Sequence, residues 1–411
     1  MKKSLMKSWR KLKMGLNVEG IRKDFPILQR KLAGKPVVYF DNACQSLRPV
    51  QVIEKINEYY KDFPACGERS MHKLGKKVDE GVDKARKSLQ AFFNAKRTEE
   101  IIFTKNATEA INIVAHALDL SKGDVVLTTD KEHNSNLIPW QLLKEKGVKH
   151  EVVEFNNLDA LNDKLTKNVK IVSMVHTSNM DGTSIDAKEM IKAVHDNGSL
   201  FMLDACQSAP HKTVDVRKLD VDFMACSGHK MLGPSGIGLL YGKQDALSKL
   251  KPFVVGGSTV SESTYSSCDL EKPPHLFEAG LQNYAGIMGF GAAADYLKKT
   301  GLDNVSAHEL RLNRKITDAV GDSVELLGPK NPELRGSIFS FNVPGLETHN
   351  VAVMLDEAAN VMVRSGAHCC HSWFNAHKML GSVRASLYLY NTEEECDVFI
   401  KELQKIVKLL S

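Results

Sequence analysis

The sequence predicts an α/β chain, in which a large unit built on a mainly parallel sheet with helices on both faces is followed by a smaller α+β unit. Three observations carry this. Strand-like and helix-like segments alternate from about Glu100 to Tyr241. The strand segments are apolar almost throughout, as strands buried on both faces must be. The alternation then stops at the Gly/Pro-marked stretch "VVGGSTVSESTYSSCDLEKPPHLFEAG", after which a different pattern begins.

The elements follow in order. "EEIIFT" reads as a strand, and "ATEAINIVAHAL" as a helix with Ile111, Val114, Ala115 and Leu118 on one face. "DVVLTT" is the next strand, followed by a helix over "NSNLIPWQLLKEKG". Then come the strands "KHEVVEF" and "VKIVSMVH", a helix over "AKEMIKAVHDNG", and the strands "SLFMLDA", "VDFMACS" and "GIGLLYG". In such a sheet, active residues gather at the carboxyl ends of the strands. Beyond the break, "IMGFGAAADYLKKTG" opens a helical region, and "SIFSFNV" and "SVRASLYLY" read as strands. A terminal helix closes the chain, with Val398, Phe399, Leu403, Ile406, Val407 and Leu410 on a shared face. The expected division is residues 1–40 packing on the small unit, 41–285 the large unit and 286–411 the small one.

Composition narrows the function. The 411 residues are 43% apolar and 26% charged, which is globular. A net charge of +5 with mostly dispersed basic residues lacks the electrostatic footprint of a nucleic-acid binder. The one basic cluster, "MKKSLMKSWRKLKMGL", has neither the apolar core nor the cleavage pattern of a signal peptide, and no run of apolar residues is long enough to span a bilayer. It reads as a solvated leader ahead of a targeting or membrane-surface helix. Eight cysteines (Cys44, Cys66, Cys206, Cys226, Cys268, Cys369, Cys370 and Cys396) are too sparse for a disulfide framework, so reduced thiols in a cytoplasm are expected. His368-Cys369-Cys370-His371 does not make a metal site. Adjacent side chains point apart, whereas zinc ligands are usually spaced by two to four residues.

Polar residues at strand ends point to chemistry. Asp204 closes "SLFMLDA", where a carboxylate needs a cation or a strong donor. A structural ion pair or helix cap would account for it alone. One strand later, however, "SGHK" places Lys230 ahead of a glycine-rich run, and lysine is seldom buried without a partner. A protonated pyridine nitrogen would suit the carboxylate and an imine-forming aldehyde the amine, so the two together suggest pyridoxal 5′-phosphate. Its phosphate requires donors such as a free helix N-terminus, which "TKNATEAIN" supplies at Ala107 and Thr108, and Ser227 and His229 flank the lysine. Taken singly, Thr108 also reads as a helix cap and His229 as a core histidine. His133 in "DKEHNSN" follows a strand end, where a flat ring could stack on a cofactor.

With "SGHKMLGPSGIGLLYG", "DACQSAPHKTVDV", "KEHNSNLIPWQ", "FEAGLQN" and "RSGAHCCHSW…VRASLYLYNT" in this order, the chain resembles the cysteine desulfurase/selenocysteine lyase group among the class V aminotransferase-like enzymes of fold-type I. The likeness runs from "IRKDFPIL" to the C-terminus. It implies that Lys230 is the Schiff-base lysine, Asp204 the partner of the pyridinium nitrogen and Gln207 a donor to the cofactor's phenolic oxygen. It implies further that His133 stacks on the ring, Asn179 lies by cofactor and substrate carboxylate, and Ala107, Thr108, Ser227 and His229 form the phosphate cup. Arg384 resembles the arginine that clamps the substrate carboxylate, a task for a planar bidentate donor. Arg364 is a further substrate-side candidate, and it or His368 could lend positive character to a thiol. Cys369 matches the cysteine that accepts sulfur.

The activity implied is conversion of L-cysteine to L-alanine, with the sulfur left on Cys369 as a persulfide. The persulfide then passes to a sulfur-acceptor protein, for iron–sulfur cluster or related biosynthesis, and the family resemblance implies a homodimer. Some positions depart from the pattern. Leu281 stands where relatives usually carry a threonine that reaches the partner subunit's phosphate, and Ala367 replaces a common histidine. Cys370 is an additional thiol, either a persulfide relay or a bystander. Cys44 and Gln45 fall where small residues usually line the pocket. These leave two rivals: another class V enzyme (a selenocysteine lyase, C–S lyase or aminotransferase) acting on a different amino acid, and a non-catalytic scaffold partner.

Overall fold

A computed structural model describes residues 15–68 and 70–409. Most of the basic leader, together with Leu410, lies outside the described residues. Seven strands form the large sheet: β1 (Ile101–Thr104), β2 (Val125–Thr129), β3 (Lys149–Val153), β4 (Val169–Val175), β5 (Leu200–Asp204), β6 (Phe223–Ser227) and β7 (Gly238–Gly242). Their order is β1-β7-β6-β5-β4-β2-β3. Only β7 runs antiparallel to its neighbours.

Alternation along these strands explains why every second residue can be apolar on both sides. Phe103, Leu127, Val172, Leu203, Met224 and Leu239 pack on one face, while Ile102, Val126, Ile171, Met202, Ala225 and Leu240 pack on the other. The first face is covered by helices α1 (Val50–Asp62) and α2 (Lys73–Phe93), and the second by α3 (Ala107–Ala117) and by Trp140 of α4 (Asn134–Leu142). The stretch "NSNLIPWQLLKEKG" is helical only to Leu142 and tightens into a 3₁₀ turn over Leu143–Lys146.

Helix α5 (Ala187–Asp196) joins the first face through Met190, Ile191 and Val194. So does α6 (Tyr284–Thr300), whose Ile287, Phe290, Ala293, Ala294 and Leu297 belong to the same core. A division at residue 286 therefore falls inside a helix that packs on the large sheet. The second sheet is antiparallel, in the order β8-β9-β11-β10 for β8 (Glu325–Leu327), β9 (Ile338–Asn342), β10 (Arg364–Gly366) and β11 (Ser382–Ser386). Helices α7 (Leu302–Val320), α8 (Thr348–Ala359) and α9 (Glu393–Lys408) bury Leu312, Leu355, Phe399 and Leu403 against it. On α9 the expected apolar face is corrected at Val398, which is exposed, while Cys396 takes a buried place. Val38 and Phe40 enter this core, with Val38–Tyr39 pairing in parallel with Val361–Met362.

The two sheets meet closely at Gly182, where φ is +77° and an added Cβ would stand 1.9 Å from the Arg335 carbonyl oxygen. Nearby, Ser340 Oγ donates to the Met180 carbonyl at 2.5 Å.

Candidate active site

Between the sheets, beyond the carboxyl ends of β4, β5 and β6, lies a cavity of about 430 Å3. Its lining includes all twelve residues singled out by sequence: Ala107, Thr108, His133, Asn179, Asp204, Gln207, Ser227, His229, Lys230, Arg364, Cys369 and Arg384. The large sheet supplies one wall. Asp204 ends β5, buried, and its Oδ1 accepts the Cys206 amide at 3.0 Å. Lys230 ends the 3₁₀ turn after β6, and its amine makes no hydrogen bond or ion pair to any described residue. Gln207 Nε2 donates to the Ala43 carbonyl at 2.6 Å, which fixes the carboxamide while leaving it a second N–H.

The start of α3 forms the next part of the wall. Asn106 caps the helix by accepting the Glu109 amide at 3.0 Å, and the Ala107 amide donates to Ser227 Oγ at 2.9 Å. The Thr108 amide, at the second helical position, has no partner among the described residues, and its hydroxyl meets Ser135 Oγ at 2.7 Å. This loop can sit so low because β7 begins with Gly238. A Cβ there would come within 2.7 Å of the Asn106 Cα.

His133 caps α4, its Nδ1 accepting the Ser135 amide at 3.1 Å. Burial pushes its pKa down to about 3, with Lys230, Arg384 and His371 acting in the same direction, so the ring is neutral. His229 is likewise lowered to about 4, by burial and then by Lys230 and Arg48. His368 is lowered further, by burial and Arg384, and its Nε2 meets Ser382 Oγ at 2.9 Å. A neutral His368 supplies no positive charge to a thiol, contrary to one of the two expectations.

The second sheet supplies the opposite wall. Arg384 on β11 is 3% exposed. Its Nη1 donates to the Asn179 carbonyl at 2.8 Å, Nη2 lies 3.5 Å from Asp41 Oδ1, and Nε has no partner. Arg364 on β10 approaches the other oxygen of Asp41 at 3.6 Å. Asp41 thus lies between two guanidiniums. Its carboxyl is nevertheless raised above the ordinary value, because burial outweighs both cations.

Cys369 is exposed, on a turn where both it (φ +58°) and His368 (φ +50°) are left-handed. The turn is fastened by Asn134, whose amide donates to the Cys369 carbonyl at 2.7 Å and whose side chain meets His371 Nδ1 at 2.9 Å. Asn179 faces this turn as well. Its Nδ2 donates to the His368 carbonyl at 2.7 Å and its Oδ1 accepts the Cys370 thiol at 3.3 Å. Cys370 is buried and its pKa is pushed up to about 12 by that burial, so it stays a thiol.

Sequence reasoning missed Asp41, Asn106, Ser135 and His371. Asp41 carried a legible signal, an acid closing the apolar run "VVYF", the same signal that marked Asp204. Asn106 and Ser135 are cap-region residues, and His371 reaches the cavity only through the turn.

The topology, with a single antiparallel strand next to an edge of an otherwise parallel sheet and a second antiparallel sheet closing over the strand ends, defines an aminotransferase-like α/β enzyme fold. The chain belongs to the aminotransferase class-V family, whose model matches residues 38–399. It is 40% identical over 402 residues to a probable cysteine desulfurase of Pyrococcus abyssi, covering 95% of this chain and 98% of that one. To a probable cysteine desulfurase of Synechocystis sp. it is 39% identical over 404 residues, covering 95% and 96%. Among solved structures, an apo cysteine desulfurase from Thermococcus onnurineus superposes with a TM-score of 0.91 at 36% identity, covering 96% of this chain and 99% of that one.

Proposed function

We propose that the protein is a pyridoxal 5′-phosphate-dependent cysteine desulfurase. One observation carries the reading: an uncommitted amine (Lys230), a buried carboxylate (Asp204), a buried arginine with an unpartnered Nε (Arg384) and an exposed thiol (Cys369) line one cavity. The donor set fits the cofactor. The amine suits its aldehyde, the carboxylate its ring nitrogen, the neutral His133 its flat face, and the Thr108 amide with the Ser227 and His229 side chains its phosphate. Gln207 has an N–H to spare for the ring oxygen. When bound, the cofactor supplies an electron sink for the carbon next to the substrate nitrogen.

The chain's own groups do the rest. Arg384 grips the substrate carboxylate from the small-sheet wall, with Arg364 beside it and Asp41 setting the spread of the two guanidiniums. Asn179 holds Arg384 through its carbonyl and the cysteine turn through its carboxamide, which ties carboxylate binding to thiol placement. Lys230 takes the α-proton of L-cysteine onto Nζ, while Asp204 keeps a proton at the ring nitrogen. The Cys369 thiolate attacks the substrate sulfur. An S–S bond forms, the C–S bond breaks, and its electron pair stays with the three-carbon fragment that leaves as alanine.

Two further parts of the reading concern assembly. Leu281, 74% exposed, and Val254 border a second cavity of about 240 Å3, an apolar rim suited to a second copy of the chain. No helix among the described residues is long and apolar enough to cross a membrane, and a cytoplasmic homodimer that delivers persulfide sulfur to an acceptor protein, for iron–sulfur cluster assembly, is the setting proposed.

The test is a product assay on cofactor-loaded protein with L-cysteine and a reductant, beside selenocysteine and cysteine sulfinate. Alanine and sulfide are expected in equal amounts. Lys230→Ala removes the visible band of the bound cofactor, whereas Cys369→Ala keeps the band and loses the sulfide. A keto acid in place of alanine, or unchanged sulfide from Cys369→Ala, refutes the reading.

A further inference from the structure

Four thiols line or adjoin the cavity, and two are excluded as nucleophiles. Cys370 is held as a thiol by burial. Cys206 is buried with its sulfur 3.9 Å from Ser227 Oγ, and burial pushes its pKa far up. Cys369 and Cys44 remain.

Cys44 is half-buried in the turn after Asp41, closed by its amide donating to the Asp41 carbonyl at 3.2 Å. Cys44, Arg364 and Cys369 line the same cavity. The Arg364 guanidinium is held charged first by Cys44, then by Asp41 and Cys369. The buried Arg384 also feels Cys44, and its Nε has no partner. A sulfur anion arriving between these residues therefore meets two guanidiniums. A persulfide reaches about 2 Å beyond its thiol, which shortens the gap to be crossed.

Resting on the desulfurase reading above, we propose that Cys44 is a second sulfur-carrying residue, which receives the outer sulfur of the Cys369 persulfide inside the cavity. The Cys44 thiolate attacks that outer sulfur. A new S–S bond forms on Cys44, the Cys369 S–S bond breaks, and its electron pair leaves on Cys369 as thiolate. No oxidant or reductant is consumed. The transfer moves sulfur from an exposed site to a half-buried one and frees Cys369 for another substrate. The chain thereby stores two sulfurs per protomer when no acceptor is present.

The experiment uses cofactor-loaded protein mixed with sulfur-labelled L-cysteine without reductant, quenched by iodoacetamide, with alanine counted and each cysteine peptide weighed. Two alanines per protomer are expected in the initial burst, with added sulfur on the peptides of both Cys44 and Cys369. Cys44→Ala and Cys44→Ser should each give one alanine and sulfur on Cys369 alone, with the cofactor band intact. Cys369→Ala should carry sulfur on neither. One alanine and no sulfur on Cys44 in the unsubstituted chain overturns the relay, as does sulfur on Cys44 in Cys369→Ala. Absence of alanine altogether overturns the desulfurase reading, and the relay with it.

Discussion

Replacing His133 by Asn should flatten the acid side of the stability curve. The ring's pKa is lowered from 6.5 to about 3, first by burial, so protonating it in place costs about 5 kcal/mol at 1.36 kcal/mol per pKa unit. For a base whose folded pKa is depressed, the unfolded chain binds the proton first. Stability is then full above pH 6.5 and is lost as pH falls toward 3. Between pH 7 and pH 5 the unfolded imidazole alone takes up its proton, a loss of about 2 kcal/mol. Asparagine keeps a cap acceptor for α4 and has nothing to titrate. Urea unfolding of cofactor-free protein at both pH values should therefore show His133→Asn losing about 2 kcal/mol less than the unsubstituted chain over this window. His229, lowered in the same way, is present in both proteins and cancels. The ring proton resonance absent from the variant should show no titration above pH 4. Equal pH dependence in the two proteins, or a titration midpoint near 6.5, would falsify the assignment of a neutral ring.

Two further outcomes follow from the seam between the sheets. Arg384→Lys replaces a planar donor that reaches both the Asn179 carbonyl and Asp41 with a single ammonium, and kcat/KM for L-cysteine should fall about 10- to 100-fold; steady-state kinetics within twofold of the original would remove Arg384 from substrate binding. Gly182→Ala places a methyl against the Arg335 carbonyl at a backbone φ of +77°, and should lower unfolding stability by about 3 kcal/mol, read by urea titration. A neutral effect there would mean that the two sheets are free to move apart.

The large sheet was legible because each strand segment, such as "VKIVSMVH" or "SLFMLDA", is apolar on both faces and bounded by polar or glycine residues. The helices α1, α2, α7 and α8 were harder to see. Lysine and aspartate crowd α2, so its buried Val78, Leu89 and Phe93 form a thin stripe in a charged segment. The parallel pairing of Val38–Tyr39 with Val361–Met362 joins segments more than three hundred residues apart, and periodicity carries no record of that partner. The residues of the site were recognised as types at strand ends and through their family likeness. Their convergence was legible only through that likeness and not from periodicity, because Arg384 and Cys369 reach the cavity from a second sheet whose placement depends on contacts such as Gly182 against Arg335.

The bond from the Asn134 amide to the Cys369 carbonyl has a consequence for how such enzymes can change. The neighbour of the ring at 133 also grips the thiol-bearing turn, so the ring and the reactive sulfur are mounted on one bracket. A residue inserted between 366 and 371 would shift the sulfur's reach and unseat the bracket in a single event. A lengthened turn would leave the Asn134 amide in need of another acceptor, which ties the length of the loop to the start of α4.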